Sequence, residues 1–251
     1  MPSLDEIVNY LDRELKTASV PDYPGAINGL QLANSGKIPR VIAAVDASLP
    51  VIEAAAAAGP GLLIVHHGMF WQGAQPVTGA FYRKLKIAIE ADLAIYSSHL
   101  PLDIHPDWGN NVQLAQAIHL QQITPFPDQK GNTMGLRGQW QGSRADLLDH
   151  LQKFLGPRPH LSPGGPERVS QIAIVTGGAG SEVAQIAALG VDTFITGEGP
   201  HWSFPLAQEL GINLIYGGHY ATETSGVKAL AQALEEQFHI PWHFSDYPTG
   251  I

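Results

Sequence analysis

Leu62–Trp71 reads LLIVHHGMFW. The four apolar residues Leu62 to Val65 form a short run, the pattern of a strand covered on both faces. The run passes directly into His66, His67 and Gly68. A strand that ends in paired imidazoles delivers them to one end of a sheet. In open α/β sheets, ligand sites gather at the carboxyl ends of the strands. Neighbouring residues of a strand point to opposite faces. The two histidines therefore meet one ion only if the chain curls there. Otherwise they serve two ions side by side, or are merely packed at a strand end.

Outward from this stretch, the chain alternates strands with helices. Ser3 and Glu6 have capping-box spacing, and Leu4, Ile7, Val8, Leu11 and Leu15 follow at helical intervals. Residues 21–34 are rich in Pro, Gly and Asn and read as a loop. A strand is expected at 40–46, a helix at 51–58, a helix at 81–91 and a strand at 93–97. The segment SHLPLDIHPDWGNN, beginning at Ser98, contains two prolines and reads as a loop. A short helix follows at 111–118. Residues 125–132 read as turns, 133–141 as a strand, 143–155 as a helix capped by Ser143, and 160–165 as a linker. Strands are then expected at 171–175, 191–196, 213–216 and 241–244, with helices at 181–189 and 221–238. The alternation predicts an α/β fold with largely parallel or mixed sheets. It divides into a first half at 1–122 and a second at 123–251, whose last helix is free to pack back on the first half.

The chain also echoes itself. Ile42, Ala43 and Val45 match Ile172, Ala173 and Val175 at a spacing of 130 residues (172 minus 42), and three helix alanines follow the same spacing. Ile95-Tyr96 and His99 match Ile215-Tyr216 and His219 at a spacing of 120 (215 minus 95). Each of these histidines precedes an acid by four residues, Asp103 in one case and Glu223 in the other. A strand–helix–strand unit used twice explains both echoes; chance alignment of alanine-rich helices is the competing reading of the first.

Composition narrows the chemistry. The 251 residues are 44% hydrophobic and 15% charged, as in a folded chain with a sizeable core. The net charge of −9 disfavours a broad nucleic-acid surface. No cysteine is present, which excludes disulfides, thiolate ligands and cysteine nucleophiles. No apolar run is long enough to span a bilayer, and the opening residues read as a helix rather than a targeting segment. The expected compartment is the cytoplasm, with no membrane partner.

The polar residues placed just after strands are His66, His67, His99, Asp103, Glu198, His201, His219 and Glu223. His219 and Glu223 share one helix face and can reach one ion. Imidazole and carboxylate together suit a first-row divalent cation, and the set is too large for one tetrahedral ion. Paired ions would activate water for hydrolysis. Residues 176–181, TGGAGS, read as a tight strand-to-helix turn rather than a phosphate cradle, because the P-loop lysine is missing. His105 reads as a solvated loop residue. His119, His150, His160, His239 and His243 read as surface or packing residues, and Phe70, Trp71 and Trp202 as core.

HHGMFW, SHLPLDIHPDWGNN, TGEGPH and GGHYATE, in this order across nearly the whole chain, resemble the GTP cyclohydrolase 1 type 2 homologues, or Nif-three-like dinuclear metal proteins. The length is similar to that of the compact bacterial branch. The resemblance implies a Nif-three-like fold of two similar, interlinked α/β domains, assembled as a homohexameric toroid. It implies two divalent ions (zinc, iron, manganese, nickel or magnesium) held by His66, His67, Asp103, His219 and Glu223. His99, Glu198 and His201 would then assist as catalytic or proton-transfer groups. The implied activity is metal-dependent hydrolysis of GTP or a related nucleotide. Metal handling or regulation without turnover and nucleic-acid processing are the alternatives. Gly68 departs from the family, many members of which have proline there.

Overall fold

The computed structural model describes residues 2–128 and 130–250. In chain order the elements are α1 (Leu4–Glu14), β1 (Gly29–Leu32), β2 (Val41–Asp46), α2 (Leu49–Ala57), β3 (Gly61–His67), α3 (Gly79–Glu90) and β4 (Leu93–Ser97). Then come α4 (Leu100–Asp103), α5 (Asn110–Ala117), β5 (Gln121–Pro127), β6 (Thr133–Ser143), α6 (Arg144–Leu155), β7 (His160–Pro163) and β8 (Arg168–Ile174). A 3-10 turn (Gly180–Glu182) leads into α7 (Val183–Ala187), β9 (Thr193–Thr196), α8 (Ser203–Glu209), β10 (Asn213–Tyr216), α9 (His219–Phe238) and β11 (Trp242–Phe244). The chain forms two compact units, Met1–Trp108 with Gly226–Tyr247, and Gly109–Ser225 with Pro248–Ile251.

The first unit has a five-stranded sheet in the order β1-β4-β3-β2-β11. All neighbours are parallel except the edge pair β1 and β4. Alternating side chains divide its core in two. Val41, Ala43, Leu62, Ile64, Ala94 and Tyr96 pack with α1 and with Val227, Leu230 and Leu234 of α9. Ile42, Ala44, Leu63, Val65, Leu93 and Ile95 pack with α2 and α3. Both faces are covered, so these strands are apolar at nearly every position. The second unit has six strands in the order β5-β6-β8-β9-β10-β7. Its core is divided in the same way, with α5 and α6 on one face and α7 and α8 on the other.

The echoes in the sequence correspond to a repeated topology. β2, β3 and β4 are adjacent and parallel, as are β8, β9 and β10. Each set is flanked by an antiparallel edge strand that precedes it in the chain, β1 beside β4 and β7 beside β10. The helices opening each set, α1 and α6, both begin with a serine capping box, Ser3 with Glu6 and Ser143 with Asp146.

Three strands lie where the sequence predicts loops or turns. β1, β5 and β7 are edge strands, paired on one side only, so no apolar run is required of them. Pro125 and Pro127 are accommodated in β5 because an edge strand has backbone positions that need not donate. α4 replaces part of the loop expected after Ser98. Pro101 sits in its first turn, where a missing N–H costs nothing. Helix α8 carries no expectation from the pattern. Among the described residues, no helix is long and apolar enough to cross a membrane.

Candidate functional site

In the first unit, three histidines meet at the carboxyl ends of β3 and β4. The ring centroids of His66 and His67 are 4.7 Å apart, those of His66 and His99 5.0 Å, and those of His67 and His99 5.7 Å. One ring nitrogen from each lies within 4.8 Å of the others, a spacing that could hold a metal ion. The strand end therefore does bring neighbouring imidazoles together, overriding the opposite-face rule of an extended chain. His66 is fully buried, while His67 is partly open.

Each of these rings is held through Nδ1. His66 Nδ1–H donates to the backbone carbonyl of Ser98 at 2.9 Å. His67 Nδ1–H donates to Asp46 Oδ1 at 2.8 Å. Asp46 is the cross-strand neighbour of His67 in the β2–β3 ladder, so strand register alone places it there. His99 Nδ1–H donates to Asp22 Oδ1 at 2.8 Å. Asp22 also accepts from Asn28 Nδ2 and from the backbone N–H groups of Tyr23 and Leu100. Burial works against its charge, but His99 and these donors outweigh burial and keep the carboxyl below its ordinary range. With Nδ1 protonated and committed, Nε2 presents the lone pair. This is the tautomer that second-sphere carboxylates and carbonyls impose on metal-ligating histidines. Asp103, on the single turn α4 and mostly buried, sets Oδ1 at 3.5 Å from His66 Nε2.

The segment from Pro21 to Asn34 is therefore more than a connector. Besides Asp22 and Asn28, it contributes Gln31, whose Oε1 accepts from Met69 N–H at 2.8 Å and whose Nε2 donates to the carbonyls of Ala26 and Ile27. A Cβ on Gly68 would lie 2.1 Å from Gln31 Nε2. Glycine at this position makes room for the Gln31 side chain that holds the turn after the histidines.

In the second unit, β10 leads into α9, whose first residue is His219. Its Nδ1–H donates to Glu198 Oε1 at 2.9 Å, and its Nε2 lies 3.2 Å from Glu223 Oε1, one helical turn on. Burial opposes a charge on His219, yet Glu223 and Glu198 outweigh it and push the imidazole up to about 9. Two carboxylates around one ring create a strong demand for positive charge, which a proton or a metal cation can meet. Glu223 is nearly fully buried. Gly177 lies so close that a Cβ there would stand 2.2 Å from Glu223 Oε1, and its φ of +70° belongs to the region that favours glycine. The Gly177 N–H donates to Thr222 Oγ1, and its carbonyl accepts from the N–H groups of Gly197 and Glu198. The amides of Thr176, Ala179 and Gly180 are engaged internally too. Four amides of residues 176–181, those of Thr176, Gly177, Ala179 and Gly180, are thus spent on internal bonds, as in a tight turn beside Glu223.

The remaining histidines separate by their contacts. His105 is not a solvated loop residue. It stacks on Trp108 at 4.3 Å, and its Nδ1 accepts from the N–H groups of Asp107 and Trp108, the reverse of the polarity at His66, His67, His99 and His219. Burial pushes it below its ordinary value, so it serves as a neutral cap. His201 is exposed, and among the described residues no hydrogen bond fixes its ring. It lines a cavity of about 680 Å³ in the second unit together with Glu198, Arg158 and His160. His160 thus belongs to a concave surface, not to plain packing.

Trp71 and Trp202 depart from the core role expected of them, being 38% and 50% exposed. The Trp71 ring stands edge-on to His99 at 4.8 Å and walls the histidine cluster. Phe70 does pack in the core, against Phe81. Asp22, Asp46 and Gln31 escaped the sequence reading. Asp46 carried a usable signal, an acid ending the strand that neighbours the paired histidines.

The sequence profile described as Duf34/NIF3 (NGG1p interacting factor 3) matches residues 2–249. The chain is 40% identical over 249 residues to a GTP cyclohydrolase 1 type 2 homolog of Deinococcus radiodurans, covering 98% of this chain and 94% of that one. It is 37% identical over 250 residues to the protein of the same name in Pseudomonas aeruginosa, covering 98% of each. A crystal structure of a Thermus thermophilus protein, 37% identical, matches with a TM-score of 0.90 over 99% of this chain and 100% of that one.

Proposed function

Because the chain belongs to the Duf34/NIF3 family, we propose that it is a metal-dependent hydrolase acting on GTP or a related nucleotide, with two divalent ions held by His66, His67, Asp103, His219 and Glu223. The observation that carries the reading is the common tether. His66, His67 and His219 each commit Nδ1 to a carbonyl or carboxylate, and the Nε2 atoms of His66 and His219 face Asp103 and Glu223. The donors are nitrogen and oxygen only, which suits zinc, iron, manganese, nickel or magnesium. Bound divalent ions supply Lewis acidity and bring the pKa of water toward neutrality. The nucleotide comes from the names of the relatives, GTP cyclohydrolase 1 type 2 homolog.

The residues around the ligands have separate tasks in this reading. Asp46 and Glu198 orient His67 and His219. His99, held by Asp22, adds a third imidazole beside His66 and His67 and keeps a proton acceptor at Nε2. His201, solvent-exposed and untethered, is the group suited to exchange a proton with bulk water. The family resemblance extends the reading to a cytoplasmic homohexameric ring. The net charge of −9 speaks against nucleic acid as the substrate.

The test loads purified protein with each candidate ion, counts ions per chain by elemental analysis and follows GTP by chromatography. Light scattering reports the number of protomers. The expected result is two ions per chain, GTP consumption, and a loss of at least 100-fold in Asp103→Ala and His66→Ala. Retained ions with no turnover under any metal would overturn the hydrolase and leave a metal-binding protein. Equal turnover in His66→Ala would overturn the assigned ligands.

A further inference from the structure

The 680 Å³ cavity of the second unit falls within the range of about 300–1,000 Å³ usual for small-molecule sites. Its wall is aromatic and ordered by the sheet. The antiparallel register of β7 and β10 sets His160 opposite Tyr216, with ring centroids 6.2 Å apart and planes 27° from parallel. Phe204, on α8, lies 5.4 Å from His160 at 32°. The Tyr216 hydroxyl is 2.7 Å from Ser203 Oγ, which fixes the phenol ring. His160 thus joins Tyr216 and Phe204 in one aromatic wall against which a flat ligand can pack.

Charge at the cavity points the same way. Arg158 belongs to the lining, is exposed, and among the described residues makes no ion pair or side-chain hydrogen bond. A guanidinium placed beside an aromatic wall, in a chain of net charge −9, is a recognition element for a carboxylate or phosphate. Glu198 lines the same cavity while holding His219 through Oε1, so the space reaches the tether of a candidate metal ligand.

We propose that this cavity binds the organic part of the substrate, a planar heteroaromatic ring carrying an anionic group. The ring stacks on His160, Tyr216 and Phe204, and the anion pairs with Arg158. Its reacting edge faces Glu198, with His201 at hand for proton exchange. The identity of the reaction rests on the hydrolase reading, whereas the binding site does not.

The probes are guanosine 5′-monophosphate and guanosine, titrated calorimetrically into the full chain as purified. The wild type is expected to bind the monophosphate more tightly than guanosine. Arg158→Gln should weaken the monophosphate by about 10-fold or more and leave guanosine unchanged. His160→Ala should weaken both by about 5- to 100-fold. Both side chains are exposed, so unchanged melting temperatures are expected and serve as the folding control. No binding of either probe by the wild type, or equal monophosphate affinity in Arg158→Gln, would overturn the proposal. GTP turnover with an unchanged KM in both variants would overturn it while leaving the hydrolase standing. Binding as described without any turnover would overturn the hydrolase and leave the cavity.

Discussion

Removing Asp46 tests whether the tethers, rather than the histidines alone, create metal affinity. Asp46 Oδ1 accepts from His67 Nδ1 at 2.8 Å, and strand register sets the two side by side. With Asp46→Ala, His67 loses both its fixed orientation and its imposed tautomer. Loss of such a partner costs about 10- to 100-fold in metal affinity, or about 1.4–2.7 kcal/mol. The structure favours the upper end. Lys84 Nζ donates to the Ala47 carbonyl at 2.6 Å and is half-buried. Burial pushes its ammonium below the ordinary lysine value, and Asp46 pulls it back up. Removing the carboxylate takes away the charge that offsets this ammonium, which disfavours a cation at the His67 that Asp46 holds. Asp46→Asn keeps an acceptor oxygen and loses only the charge, so its affinity should fall between wild type and Asp46→Ala. Asp46→Ala with Lys84→Met should recover part of the loss. The assay is competition for zinc against a chromophoric chelator, with His67→Ala as the reference. Zinc affinity of Asp46→Ala within twofold of wild type, alongside a large loss in His67→Ala, would refute the tether.

Other perturbations follow from single contacts. Gly177→Ala places a methyl group 2.2 Å from Glu223 Oε1 at a φ of +70°; a stability loss of about 1–3 kcal/mol in urea melts, with weaker metal binding, is expected. Ser143→Ala removes the α6 capping box and should cost about 1 kcal/mol in the same melts while leaving metal affinity unchanged. Without metal, the His219 imidazole is raised from 6.5 to about 9. The stability it contributes is therefore complete below 6.5 and lost as pH rises through about 9. Glu198→Gln should lower the His219 titration midpoint seen by NMR and shrink the loss of urea midpoint between about pH 6 and pH 10; an unchanged pH profile would remove Glu198 as a cause.

Much of the fold was legible because burial on both faces leaves a clear trace. The runs that became β2, β3, β4 and the second half of β8 are mostly apolar, since each parallel strand contacts helices above and below. The edge strands β1, β5 and β7 left no such trace. With one neighbour and weak burial, they tolerate the glycines, prolines and polar residues that mark loops elsewhere. The candidate ligands were legible for a similar reason. His66 and His67 end β3, and His219 opens α9 just after β10 with Glu223 one turn on, so chain order already placed them near strand ends.

What the linear chain determined is the periodicity, the doubled strand–helix unit and the donor types, because these depend on neighbours within a few residues. Which acceptor holds each imidazole was decided only in three dimensions. Asp22 reaches His99 from 77 residues away and Asp46 reaches His67 from 21. Contacts of that span arise from strand register and loop closure. Asp22 left no pattern in the sequence and Asp46 only its place at a strand end, yet both set which ring nitrogen is left to face a cation.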